Sequence, residues 1–566
     1  MTIASLPKTQ YAVQLIGPSQ LRLNTAKEVV APGPHQVLAK IEAVGLCFSD
    51  LKLLKQFSEH ARKSEVVSGL AKEILAEIPS YVPGDKPGVP GHEAVCRIVA
   101  VGEKVKHYKV GERCVVQTDY RTVLTAASNA AFGYNFEGGL QEYVILDERV
   151  IMDPLSGERF LIPVGEELGA SSVALVEPWA CVEDSYVTPE RNAIKANGRL
   201  LVVADAGHEV KGLGRSLSAE GLPAGVTCVC AEASQCEAVR ALRAATACAA
   251  EIAVLPNEGF DDIVYFGAEK ATIQLLNDKL AAHGLMNVVL GGKKIGEPVS
   301  VGVGRIHYGM TRWTGTPGED AAQSYGAIPK DGEARDGDSI LVIGAGGPMG
   351  QMHVLRDVCA GKRNVTITAS DIDEARLKSL FQKAEPLAKA NGVRLRMHNP
   401  KARALSEKCT YFALMAPLGA LLAQCVEESA PGAIINVFAG IPAPTRQDLN
   451  LDLYIANRCY MIGTSGSTIR DMRIVLRKIA EGRLDTDASV DAISGMAGAI
   501  EGIGAVANRT LAGKIIVYPM LHDLGLIPLE RLDERFPSVA AKLKNGQWNR
   551  DAEAELLRVG SGSYRA

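Results

Sequence analysis

A chain of 566 residues is too long for one hydrophobic core, so three or so domains are expected. With 47% hydrophobic and 22% charged residues it reads as a soluble globular protein, and a formal net charge of −4 gives no electrostatic reason to expect a nucleic-acid partner. Its 12 cysteines include no C-x-x-C pair, which signals neither a disulfide framework nor a zinc ribbon and fits a reducing, cytoplasmic setting.

The opening stretch, MTIASLPKTQYAVQ, lacks an apolar core of signal-peptide length, and no run reaches about 18 uninterrupted apolar residues, so no membrane span is expected. Residues 1–190 read mainly as strands: Gln36 to Val44, Ala94 to Gly102 and Lys109 to Val116. Between them, Leu51 to Ile78 carries helical periodicity and is stopped by Pro79 and Pro83. Residues 192–325 and 336–475 look like one unit present twice. Leu200 to Val203 and Ile340 to Ile343 open the copies, His283 to Gly292 matches Pro431 to Gly440, and Trp313-Thr314-Gly315-Thr316 echoes Met461-Ile462-Gly463-Thr464. Strands alternating with helical patterns predict a doubly wound parallel sheet in each copy. Gly513 to Tyr518 returns as a strand, and 521–566 is an added tail with helices over Ser538 to Leu543 and Arg550 to Val559.

Two motifs carry chemistry. Gly45-Leu46-Cys47-Phe48-Ser49-Asp50, with Gly91-His92-Glu93, offers a thiolate, a hydroxyl, an imidazole and two carboxylates, which suits a catalytic metal. Asp50 is placed to accept the second ring N–H of His92 and fix its tautomer, and Glu93 is a candidate ligand or near neighbour of the ion. Taken singly, Cys47 suits a small buried hydrophobe and His92 a hydrogen-bonded core residue. The joint pattern favours the metal.

The second motif follows the strand Ile340 to Ile343: Gly344-Ala345-Gly346-Gly347-Pro348-Met349-Gly350, leading into a helical run from Gln351 to Val358. A glycine turn between strand and helix places helix N-terminal N–H groups where a pyrophosphate binds. Either Gly344 or Ala345 is the turn residue. Asp371 lies 21 positions beyond Gly350 (371 − 350) and would grip the ribose hydroxyls of NAD while repelling the 2′-phosphate of NADP; its alternative role is a helix N-cap. The equivalent turn of the earlier copy, Ala204-Asp205-Ala206-Gly207-His208-Glu209, lacks the glycine cluster and carries acids that repel a pyrophosphate, so it reads as non-binding.

With these motifs the chain resembles the zinc-dependent medium-chain dehydrogenase/reductase superfamily over most of 1–190 and 336–520. Phe132 to Gly139, Val176-Glu177-Pro178 and Gly463-Thr464-Ser465-Gly466 resemble its sugar and polyol branch, including the sorbose-1-phosphate reductase-like proteins. The resemblance implies an α/β fold: an irregular β-barrel-like, GroES-like catalytic domain from 1–191 and 481–520, with an NAD-binding Rossmann domain at 336–480. The degenerate Rossmann-like copy at 192–335 and the tail at 521–566 depart from the usual pattern. The resemblance also implies Glu177 as third metal ligand beside Cys47 and His92, with Cys181 as its rival, and Ser49 as a proton relay. The family's second, structural zinc sits on a cysteine loop; residues 117–139 hold no cysteine, so one catalytic zinc and no structural zinc are expected, with Tyr134 and Phe136 packing that loop instead. The two motifs are then expected to face each other across one cleft, exchanging a hydride between NAD and a small-molecule polyol or sugar. Arg312 and Lys52 are the candidates for a substrate phosphate. A homo-oligomer is expected, and the earlier copy is read as covering the later copy's sheet edge. The rival readings are a zinc-free reductase of the same fold, and an NAD-binding sensor or scaffold without turnover.

Overall fold

The strand Gln36–Gly45 is buried along almost its whole length because both its edges are paired. Glu93–Val101 runs antiparallel to it on one edge. Tyr143–Asp147 pairs antiparallel with its first half and Lys514–Val517 with its last two residues. In this computed structural model, which describes residues 6–560, that strand is central to an eight-stranded sheet running from Leu161–Pro163 to Ile527–Pro528. The sheet belongs to a unit made of Met1–Glu183 and Gly466–Ala566, so the predicted return strand closes on strands from the start of the chain.

The stretch from Leu51 to Ile78 is not the continuous helical segment its periodicity suggests. The helix Phe48–Gln56 ends at Phe57, which takes a left-handed φ of 47°. Two short 3-10 turns follow, and Val66–Ser68 is a strand paired with Asp119–Thr125 before the helix Lys72–Ala76. Short apolar runs do not separate helix from strand by period alone. The loop of Tyr134 and Phe136 is packed as expected: Phe136 meets Tyr81 and Tyr120 at centroid distances of 5.1 and 5.6 Å.

The C-terminal tail contributes to this unit's core. Trp548 is fully buried, and Glu553, on the helix Arg550–Gly560, accepts from the backbone N–H groups of Ala170 and Ser171 at 2.5 and 2.7 Å. It therefore satisfies orphan donors at the start of the helix Ala170–Ala174. Tyr518 donates to the same carboxylate at 2.8 Å.

The second unit, Asp184–Ser465, contains two six-stranded sheets. The first has the spatial order 246–248, 225–230, 199–204, 260–266, 280–289, 312–316, and every pairing is parallel. The second repeats that order with 394–398, 366–370, 339–343, 409–414, 429–437 and 460–462, again all parallel. Both have the 3-2-1-4-5-6 order of a doubly wound dinucleotide fold. They share one core, in which Trp313, Ile306 and Met286 from one sheet's region pack with Tyr454, Ile455 and Met461 from the other's. Val299–Val301 pairs antiparallel with Gln447–Leu449. The helix Gly304–Tyr308 lies on the strand Tyr460–Ile462, and the helix Leu451–Ala456 on the strand Arg312–Thr316. Corresponding elements thus meet each other, as at a two-fold interface.

Candidate functional site

Gly45 ends its strand beside Glu93, and a Cβ at Gly45 would lie 2.1 Å from Glu93 Oε2, so any side chain there would displace that carboxylate. Two residues on, Cys47 is the N-cap of the helix Phe48–Gln56, and its N–H donates to Asp50 Oδ2 at 3.2 Å. Gly91, at φ 93°, turns the chain into the strand Glu93–Val101 and presents His92. Asp50 Oδ1 meets His92 Nδ1 at 2.9 Å, so Nε2 is the ring nitrogen turned toward Cys47 and Ser49 and available to an ion. Ser49 Oγ lies 3.1 Å from Cys47 Sγ and 3.2 Å from His92 Nε2.

One donor atom each from Cys47, His92 and Glu93 lies within 4.8 Å of the others. Glu93 is fully buried; Lys514 Nζ donates to its Oε1 at 2.5 Å, while Oε2 has no hydrogen-bond partner among the described residues. A buried carboxylate oxygen left unpaired is costly. Thiolate, imidazole and carboxylate are the donor types of a catalytic zinc site, so these residues fit that ion. Burial works against a proton on His92, but Asp50 outweighs it and raises its pKa well above the ordinary value. The same electrostatics favour a cation.

Glu177, in the first turn of the helix Val176–Val187, lies outside the three-donor group. Burial first, then the charges of Glu93 and Asp119, push its pKa up to about 7, against the pull of His92 and Lys514. Cys181 Sγ lies 3.7 Å from Glu177 Oε1, and burial followed by the Glu177 charge raises the thiol's pKa well above the usual value. The anionic surplus around Glu177 is what a divalent cation would relieve.

Sequence reasoning missed two cations here. Lys514 is buried, 421 residues from Glu93. Its one local signal is a lysine opening the apolar run Lys514-Ile515-Ile516-Val517, since a buried ammonium needs a carboxylate. Arg62, on the 3-10 turn Ala61–Lys63, pairs with Asp119 at 2.7 Å and lies 5.6 Å from the Tyr134 ring centroid. The candidate Arg312 does not serve a phosphate: it is buried and held by both oxygens of Glu190 at 2.8 and 3.0 Å.

The glycine-rich stretch forms a strand, a turn and a helix in succession. Gly344 takes φ 83° and is the turn residue, and Gly347 caps the helix Pro348–Val358 with Pro348 in its first turn. A Cβ on Gly350 would lie 2.2 Å from Gly344 O, so glycine there allows the helix to approach the turn. Gly346 N donates to Asp371 Oδ2 at 2.9 Å. The N-cap of the next helix, Glu374–Ala390, is Asp373, so Asp371 does not cap that helix.

Residues 33–155 match the alcohol dehydrogenase GroES-like domain family. The chain is 23% identical over 350 residues to the uncharacterized protein YggP of Escherichia coli (strain K12), which covers 55% of this chain and 75% of that protein. It is 33% identical over 101 residues to sorbitol dehydrogenase of Bos taurus, 18% of this chain but only 22% of that enzyme. The crystal structure of 2R,3R-butanediol dehydrogenase from Bacillus subtilis is similar in fold, with a TM-score of 0.51 and 16% identity over 90% of this chain and 100% of that one. Residues 33–155 are therefore a GroES-like domain of the alcohol dehydrogenase kind, and the fold is like that of a butanediol dehydrogenase.

Proposed function

We propose that the chain is a zinc-dependent oxidoreductase that interconverts a secondary alcohol and a ketone on a polyol or sugar, using NAD. The observation that carries this reading is the convergence of donor atoms from Cys47, His92 and Glu93 within 4.8 Å of one another. Cys47 and His92 would hold the ion with a carboxylate from Glu177 or Glu93. A bound zinc ion supplies Lewis-acid polarisation of the substrate oxygen, and NAD supplies the hydride acceptor. Ser49 takes up the alcohol proton and passes it outward. Asp50 holds His92 in one tautomer, and Lys514 balances the Glu93 charge. Arg62 offers the site's positive charge to a polar or phosphorylated substrate. Asp371 selects NAD through the ribose hydroxyls.

In the same reading, 1–191 and 481–520 form the barrel-like catalytic domain, and 192–335 and 336–480 are duplicated Rossmann-like domains. The earlier one fills the place a second subunit's dinucleotide domain would take. The tail, 521–566, completes the core of the catalytic part.

The test is zinc content together with NAD reduction across polyols, sugars and their phosphates. Cys47→Ser and His92→Ala are expected to lose both the zinc at this site and at least about 1,000-fold of activity, the scale of a lost electrostatic catalyst. Turnover that survives chelation and Cys47→Ser would replace this reading with the zinc-free reductase. NAD binding with no turnover on any substrate would favour the sensor.

A further inference from the structure

Four cysteines that the dehydrogenase chemistry does not use meet at the outer edge of the first six-stranded sheet. Cys228 and Cys230 are two positions apart on the strand Gly225–Cys230, so their side chains leave the same face. Cys236 comes from the next helix, Ala233–Arg240. Cys248 ends the outermost strand, Thr246–Cys248, in direct register with Cys228. The sulfurs of Cys228, Cys230 and Cys236 lie within 4.8 Å of one another, and Cys228 Sγ is 3.2 Å from Cys248 Sγ.

We propose that Cys228, Cys230, Cys236 and Cys248 form a second metal site, a four-thiolate centre for one zinc ion that clamps the short edge strand to its neighbour and to the helix. Zinc–sulfur bonds of about 2.3 Å put tetrahedral sulfurs about 3.8 Å apart. The Cys228, Cys230 and Cys236 sulfurs reach that by shifts of about 1 Å or less, and Cys248, exposed and 3.2 Å from Cys228 but outside the group that lies within 4.8 Å throughout, completes the set by swinging its side chain inward. Soft thiolates in a tetrahedral set select zinc over hard divalent cations. Four thiolates around one Zn²⁺ leave a charge of −2, and Arg240, whose guanidinium donates to Cys248 Sγ at 3.4 Å, offsets part of it. A Cys228–Cys248 disulfide would account for only two of the four thiols. The edge also needs an anchor: its outermost strand has three residues and pairs on one side only. The spacing C-x-C-x5-C-x11-C matches none of the usual zinc-ribbon patterns, which is why the sequence gives no warning of it.

The proposal does not depend on the catalytic reading, and the test separates the two. Full-length protein is produced with added zinc, purified under reducing conditions and analysed for metal. Wild type is expected to hold about two zinc ions per chain and Cys47→Ser about one. Adding Cys228→Ser and Cys236→Ser to Cys47→Ser removes the last one. Cobalt substitution of the Cys47→Ser chain is expected to give the intense near-ultraviolet charge-transfer band of several thiolates. Cys248→His keeps a ligand and retains the zinc, whereas Cys248→Ser loses it, so a folding defect is distinguishable from a lost ligand. A zinc-free Cys47→Ser chain overturns the proposal, as does zinc content indifferent to the four cysteines. A Cys228–Cys248 disulfide, found by peptide mapping of protein freshly purified in reducing buffer, overturns it too. A wild type with one zinc that vanishes on Cys228→Ser keeps this proposal and removes the catalytic one.

Discussion

The two six-stranded sheets share strand order and yet differ at the one turn that matters for a dinucleotide. Each keeps an acid after its second strand that accepts from a glycine N–H of the first turn: Asp371 from Gly346 at 2.9 Å, and Glu232 from Gly207 at 2.7 Å. The acid is therefore common to both, and the difference lies in the chain just past the turn. After Gly347 comes the eleven-residue helix Pro348–Val358, whose first N–H groups lack intrahelical acceptors. After Gly207 comes irregular chain and then only the 3-10 turn Leu213–Ser216. Without a helix there is no macrodipole and no cluster of N–H groups for a pyrophosphate. The first turn is instead tied to the neighbouring strand Phe260–Phe266, whose Tyr265 donates to Asp205 at 2.5 Å.

The largest expected effect tests whether the sheets are one folding unit. Trp313 is buried in the shared core, and Tyr454 donates to its backbone oxygen at 2.9 Å. Trp313→Ala is expected to cost about 3–5 kcal/mol of unfolding free energy, with loss of cofactor binding in the same denaturant transition. A two-step melt in which the second sheet still binds NAD would show the sheets to be independent.

Next comes the glycine that lets the second helix approach its turn. Gly350→Val forces a side chain against Gly344 O and is expected to weaken NAD binding by about 100-fold, read by fluorescence titration. Asp371→Asn removes the charge facing the ribose and is expected to raise Kd for NAD by roughly 10-fold while improving NADP relative to it. Glu232→Gln, its counterpart in the first sheet, is expected to change neither. An effect of Glu232→Gln on cofactor binding would mean that the first turn is not silent.

Much of this is legible in the sequence because it is local. The strand, glycine turn and helix around Gly344 to Val358 declare themselves within twenty residues, and both metal-site motifs are short. Legibility ends where distance begins. Lys514 reaches Glu93 only because two strands 421 positions apart join one sheet. Glu232 does carry a spacing signal, lying 25 positions beyond Gly207 as Asp371 lies 25 beyond Gly346, but without a glycine cluster at the first turn nothing draws attention to it. Phe57 at φ 47° breaks a run whose apolar pattern looks helical, because backbone conformation at a single residue leaves no trace in periodicity. The four-cysteine edge is hidden for the same reason as Lys514: register between strands, not the spacing of residues, brings Cys248 to Cys228.

The smallest expected effect is the sharpest control. Gly207 has φ 76°, so alanine there carries the left-handed penalty of about 1 kcal/mol, but its Cβ would meet nothing within 4 Å. Gly207→Ala is therefore expected to lower unfolding free energy by about that much and leave the Kd for NAD unchanged. The same φ cost applies at Gly344, where φ is 83° and a Cβ would also press Met415 Cβ at 3.2 Å, but there the turn leads directly into the helix whose N–H groups would meet NAD. If Gly344→Ala costs somewhat more stability than Gly207→Ala and only Gly344→Ala weakens NAD binding, backbone strain is common to the two turns and the helix separates their binding. Equal losses of NAD affinity at both positions would instead require the first sheet to take part in holding the cofactor.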